Sequence, residues 1–123
     1  MQVIDLIQYL SGRVPLQYYP NKFPAKSADD CVVVKLTGGG AADKYTIGVK
    51  SPSFQILVRA KHPNTAEENA QKLFGLLHGT TFFNVGETFI ASCMSNQSEP
   101  TYIGDDENGR PIYSLNFSCV TKG

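Results

Sequence analysis

Residues 53–61, SFQILVRAK, alternate with a period of two: Phe54, Ile56, Val58 and Ala60 share one face, Gln55, Arg59 and Lys61 the other. Just beyond them the period becomes helical. Ala66, Ala70, Leu73, Phe74 and Leu77 form one apolar stripe, while Glu67, Glu68, Gln71 and Lys72 lie away from it. A strand face and a helix stripe each need another element to bury them, so this switch commits the chain to mixed architecture. Thr65 and Glu68 have capping-box spacing, with Asn64 and Glu67 as an alternative pair, and Gly79 supplies a stop. Leu57 interrupts the polar face of the strand, which implies a cover over that side.

The remaining segments sort by the same rules. Val3, Leu6, Ile7 and Leu10 recur at helical spacing before Ser11-Gly12. Prolines at 15, 20 and 24 exclude a continuous helix or a central strand there and leave a short extended piece at Leu16–Tyr19. Cys31–Leu36 reads as a strand with Val32, Val34 and Leu36 on one face, followed by a flexible loop, TGGGAADK. After the central helix come only strands: Thr81–Phe83, Thr88–Met94, Thr101–Ile103 and Pro111–Val120. In the last, Tyr113, Leu115, Phe117 and Cys119 oppose Ser114, Asn116 and Ser118. The expected fold is a single α+β domain over residues 1–123, a mainly antiparallel sheet packed under two helices at about residues 2–11 and 65–78.

Composition removes several functions. Eleven Lys and Arg balance eleven Asp and Glu, which disfavours a dedicated nucleic-acid binder. Residues 1–62 hold eight bases and four acids, and residues 63–123 three bases and seven acids, a split that suits head-to-tail association. No apolar run approaches the roughly eighteen residues needed to cross a bilayer. The first residues lack a basic segment before their apolar part, as a secretory signal would have. Three widely spaced cysteines, an odd number, read as reduced buried thiols.

The sites that invite chemistry fail on spacing. In Asp105-Asp106-Glu107-Asn108-Gly109, aligning Gly109 with the glycine of a calcium loop puts Gly104 first and Leu115 last, where acids are required. Neighbouring acids in a loop diverge rather than converge as catalytic pairs do. Asn108-Gly109 is a turn dipeptide, so the three acids read as a solvated hairpin tip. Gly38-Gly39-Gly40 is followed by no Gly-Lys-Ser/Thr, and Asp43 stands where a dinucleotide motif has its third glycine. His62 and His78 flank the central helix without metal-ligand spacing. Tyr18-Tyr19 with Lys22 and Phe23 is read as a cover for the core in preference to a nucleic-acid platform. The residues imply no enzyme, metal or cofactor.

The order of the segments carries a family likeness. VIDLIQYL leads to FPAKSADDCVVVKLTGGG, then FQILVRAK, a helix ending LFGLLHG, and IGDDENGRPIYSLNFSCV. Nearly the whole chain resembles the tail terminator (minor capsid-type) proteins of long-tailed bacteriophages. One departure is Ala41-Ala42, where that pattern has prolines. The resemblance implies a non-enzymatic virion protein: a homohexameric ring, built in the host bacterial cytoplasm, that caps the tail tube at the head–tail junction. Its implied partners are further copies of itself, the tail tube protein and the head–tail connector or stopper protein. DNA passes only as cargo, and no membrane is involved. A head-completion or adaptor protein is the nearest alternative, a small ligand-binding module a more distant one. In a ring, Asp105, Asp106 and Glu107, with Arg110 beside them, either meet Arg59 or Lys61 of a neighbouring subunit or line the channel. On this reading, replacing all three acids leaves the subunit's melting temperature nearly unchanged.

Melting scans with and without EDTA, calcium, zinc and ATP are expected to superimpose. A shift of several degrees with any of them overturns the non-enzymatic reading, because a specific ligand stabilises the fold by mass action.

Overall fold

The computed structural model describes residues 1–40 and 48–122. In chain order its elements are α1 (Val3–Arg13), β1 (Tyr18–Pro20), β2 (Cys31–Leu36), β3 (Val49–Lys50), β4 (Ser53–Arg59), α2 (Pro63–Leu77), β5 (Thr80–Val85), β6 (Thr88–Ser95), β7 (Thr101–Asp105) and β8 (Pro111–Lys122). The class is α+β. The strands form one eight-stranded sheet in the order β1-β2-β4-β8-β6-β5, with β3 and β7 also paired to β8. Every pairing is antiparallel except β1 with β2.

β8 is long because it serves two broken partners. On one edge β4 pairs with Ile112–Ser118 and β3 with Thr121 and Lys122. Between them Pro52 has no N–H to donate, and its carbonyl accepts from the Cys119 N–H at 2.9 Å. On the other edge β6 and β7 follow one another, interrupted by residues 96–100. There the Gln97 side chain completes the ladder. Its Oε1 accepts from the Asn116 N–H at 3.0 Å, and its Nε2 donates to the Ser114 carbonyl at 2.8 Å. A side-chain amide thus replaces a peptide unit, so the buried backbone of β8 keeps its partners.

Phe54, Ile56 and Val58 of β4 lie beside Phe117, Leu115 and Tyr113 of β8. Phe54 and Phe117 stack at 5.3 Å. Leu6, Ile7 and Leu10 of α1 and Ala70, Leu73 and Leu77 of α2 join the same core cluster. Cys93 and Cys119 oppose each other across β6 and β8 within it, and all three cysteines are buried and unbridged.

Several expectations change. α2 begins at Pro63 with His62 as its N-cap, and no side chain caps it, so neither the Thr65–Glu68 nor the Asn64–Glu67 box forms. Proline at the first helical position needs no donor partner and has the helical φ preset, so the helix starts before either box. Leu36 ends β2 and is 38% exposed, whereas Val33 is fully buried. Phe23, Ser27, Ala28 and Asp29 lie against Arg59 on the outer side of β4, and Leu57, two residues before it, is half-buried. β6 carries a bulge: Ile90 faces Thr121 and Ser92 faces Val120, which leaves Ala91 extra. That extra residue lets Ile90 and Cys93, three apart, both enter the core.

The glycine run is only partly the flexible loop expected. Gly39 has φ +86, and a Cβ on it would collide with the Ser51 carbonyl oxygen and lie 2.6 Å from the Pro52 Cα. The Gly40 N–H donates to that Ser51 oxygen at 2.9 Å. Ala41-Ala42 and the rest of the loop through Lys44 lie outside the described residues. Gly39→Ala is therefore expected to destabilise the fold by about 2 kcal/mol or more. Gly75→Ala, in exposed α2 with nothing near its would-be Cβ, should stabilise it by roughly 0.5–1 kcal/mol. Urea denaturation of the two variants checks both signs.

Candidate functional site

The acidic tip joins β7 to β8. Gly109, at φ +76, closes the turn, and its N–H donates to the Asp106 carbonyl at 3.0 Å. A bulge precedes the turn. Tyr102 pairs with Tyr113 and Gly104 with Ile112, so Ile103 is the extra residue.

The three acids have separate fates. Glu107 is exposed. Asp105 is exposed too, and its carboxylate accepts from the Tyr102 hydroxyl at 2.7 Å, an interaction that raises the phenol's pKa. Asp106 turns inward. Its Oδ1 accepts from the backbone N–H groups of Asn108 at 3.0 Å and Arg110 at 2.9 Å. Its Oδ2 accepts from Arg110 Nε at 2.8 Å and lies 3.5 Å from an Arg59 guanidinium nitrogen. Desolvation pushes the Asp106 carboxyl upward, but hydrogen bonds from Arg110 and Asn108 and the Arg110 charge outweigh it. The result is a pKa below the ordinary carboxylate value.

Arg59, expected on a solvated strand face, is instead 3% exposed. Its guanidinium lies 4.5 Å from the Phe23 ring centre and donates to Ser27 Oγ and the Ala28 carbonyl, each at 2.7 Å. Arg110 also reaches Asp29 at 3.0 Å. The Lys61 N–H donates to Asp30 Oδ1 at 2.9 Å, while Lys61 itself stays exposed. Arg59, Asp106 and Arg110 thus form a clamp within one subunit that joins residues 23–30, the end of β4 and the hairpin tip. Lys61, Asp105 and Glu107 remain at its surface. Phe23, Ser27, Asp29 and Asp30 were not legible as parts of this site. They lie about thirty residues from Arg59, and no local spacing marks them.

The other candidates play structural parts. His62 and His78 cap opposite ends of α2. His78 stacks on Phe74 at 4.9 Å, and its Nδ1 accepts from the Ser95 N–H at 3.0 Å. Tyr18 packs against the core, and its hydroxyl donates to the Val14 carbonyl at 2.7 Å. A concavity of 550 Å³ lies along the outward face of α2, lined by Asn64, Glu67, Glu68, Gln71 and Lys72. Among the described residues no three His, Cys, Asp or Glu side chains gather as a metal site would require.

The clamp changes what acid substitution should do. Arg59→Ala is expected to destabilise the subunit by about 3 kcal/mol, since it leaves partners of a buried charge unsatisfied. Asp106→Asn should also lower the melting temperature, whereas Asp105→Asn with Glu107→Gln should not. Because the folded pKa of Asp106 is depressed, its contribution is present above the unfolded value near 4 and is lost as pH falls through the folded pKa. Melting temperature against pH should therefore drop below about pH 4 in the wild type and drop less in Asp106→Asn.

The pattern of a family described as "Bacteriophage tail terminator protein" matches residues 6–122. No curated protein sequence matches the chain. Among solved structures, a chain of the virion of a native gene transfer agent (GTA) particle superposes with a TM-score of 0.60 at 17% identity, covering 93% of this chain and 84% of that one. A second solved chain, whose name states no function, gives a TM-score of 0.56 at 18% identity, covering 94% and 88%. These likenesses show a shared fold, and the family match spans nearly the whole domain: the chain belongs to the bacteriophage tail terminator protein family, structural components of the phage virion.

Proposed function

We propose that the protein forms a homohexameric ring that caps the finished tail tube and joins it to the head–tail connector. The family match over residues 6–122 carries this reading. A tube of stacked rings presents the same adhesive surface after each layer, so its growth stops only when a different ring covers that surface. Such a ring needs heterologous contacts that close, with two different patches on each subunit. The tip suits one of these roles. Arg59, Asp106 and Arg110 hold it in place, and Asp105, Glu107 and Lys61 present charge for a neighbouring subunit or another virion protein. The sheet packed beneath two helices supplies the stiff body. The ring assembles in the bacterial cytoplasm, uses no cofactor, contacts the tail tube protein and the connector or stopper, and meets DNA only as cargo through its channel.

Deleting the gene should leave filled heads and polymerised tails that are unjoined, with tails of uncontrolled length, in electron micrographs of the lysate. Empty heads beside tails of normal length would instead support a head-completion or adaptor protein.

A further inference from the structure

The face of the sheet turned away from the core is covered in one region and bare in another. Over β2 and β4 residues 23–29 lie on it. Over β5, β6 and the end of β8 it exposes Phe82 (75%), Phe89 (37%), Met94 (48%) and Val120 (39%). The register puts these side chains together: Met94 opposes Ser118, Val120 opposes Ser92, and Phe89 opposes Lys122. Phe82 stacks on Phe89 at 6.3 Å. Phe82 also has φ +54, a conformation that a bulky side chain rarely adopts, opposite the extra residue Ala91. Strain of this kind persists where the surroundings impose it, and here it holds a phenyl ring out in water.

The opposite end of β8 carries a second exposed apolar pair, Tyr102 (53%) and Ile103 (55%), beside Asp105 and Glu107. The two patches are complementary. The bare face joins apolar side chains to exposed Lys122, while the tip joins apolar side chains to carboxylates. Tyr102 opposes Tyr113 and the bare face borders Ser118–Lys122, so at about 3.4 Å per residue of β8 the patches sit roughly 17–31 Å apart, too far to meet within one subunit.

We propose that the hairpin tip of one subunit docks on the bare outer face of β5, β6 and β8 of the next copy. Tyr102 and Ile103 lie against Phe82 and Phe89, and Asp105 or Glu107 pairs with Lys122. The proposal rests on the ring reading and replaces Arg59 as the tip's partner, because Arg59 is engaged inside its own subunit. A second copy is the occupant because both halves of the match belong to this one chain. Unlike patches joined head to tail also give the heterologous contact that a ring requires.

The test uses two surface variants of the full chain, Tyr102→Ser/Ile103→Ser at the tip and Phe82→Ser/Phe89→Ser on the face, followed by sedimentation. Each alone should remain monomeric under conditions where the wild type forms rings. Their equimolar mixture should give particles of twice the monomer mass and nothing larger, because one sound tip and one sound face remain per pair. Should either variant misfold, Glu107→Lys and Lys122→Glu replace them: each should weaken assembly, and the double reversal in one chain should restore it. Rings from either variant alone, or a mixture that stays monomeric, overturn the contact. Face-variant rings that form normally but no longer bind tails also overturn it and assign the face to the tail tube. A wild type that is monomeric up to millimolar concentration, with or without tails, overturns the ring reading and the contact together.

Discussion

β8 must find hydrogen-bond partners along two edges for twelve residues, and the rest of the sheet is arranged to supply them. Neither edge is met by one unbroken strand. Pro52 interrupts one neighbour and residues 96–100 the other, and each gap is bridged by the nearest polar atom, a proline carbonyl or the Gln97 amide. An unmatched buried peptide group is costly, so these bridges are conditions for the long strand to exist. The length of β8 in turn sets the separation between the tip at one end and the bare apolar face at the other.

Electrostatics decide how the tip is held. A hairpin extending past a sheet is free to sway unless something ties it back. Here the tie is Asp106, which satisfies the turn's own N–H groups and also faces Arg110 and the buried Arg59. Arg59 sits among carbonyl oxygens, a hydroxyl and the face of Phe23, so its burial is compensated on several sides. One acid of the triplet therefore has a folding role, while Asp105 accepts from the Tyr102 hydroxyl and Glu107 stays exposed.

The protein's histidines stand at the two ends of α2, its cysteines are buried, and of the acids at the tip Asp106 locks the turn while Asp105 and Glu107 are exposed. Among the described residues, most of the exposed large apolar side chains lie toward the two ends of one strand, with Ile4 and Leu36 apart from them, a distribution suited to contact with other chains. This agrees with its membership of a family of structural phage proteins.

Local pattern determined much of this. The period-two alternation of residues 53–61 and the helical stripe from Ala66 to Leu77 placed β4 and α2, and Asn108-Gly109 placed the final turn. The succession of segments was enough to suggest the family, because element order is written along the chain. Three features depended on tertiary structure. Arg59 looks solvated beside Gln55 and Lys61 in sequence, yet residues 23–29, brought over it from about thirty positions away, bury it. Asp106 cannot be told from Asp105 and Glu107 until the turn aims its carboxylate inward at two arginines. The bulge at Ala91 changes which side chains of β6 face the core and the one at Ile103 shifts the register of β7, and periodicity cannot register either because one inserted residue leaves no compositional trace. Periodicity reports what a segment does along its own axis. Burial, ion pairing and exposed patches arise between segments, and only the folded chain brings those segments together.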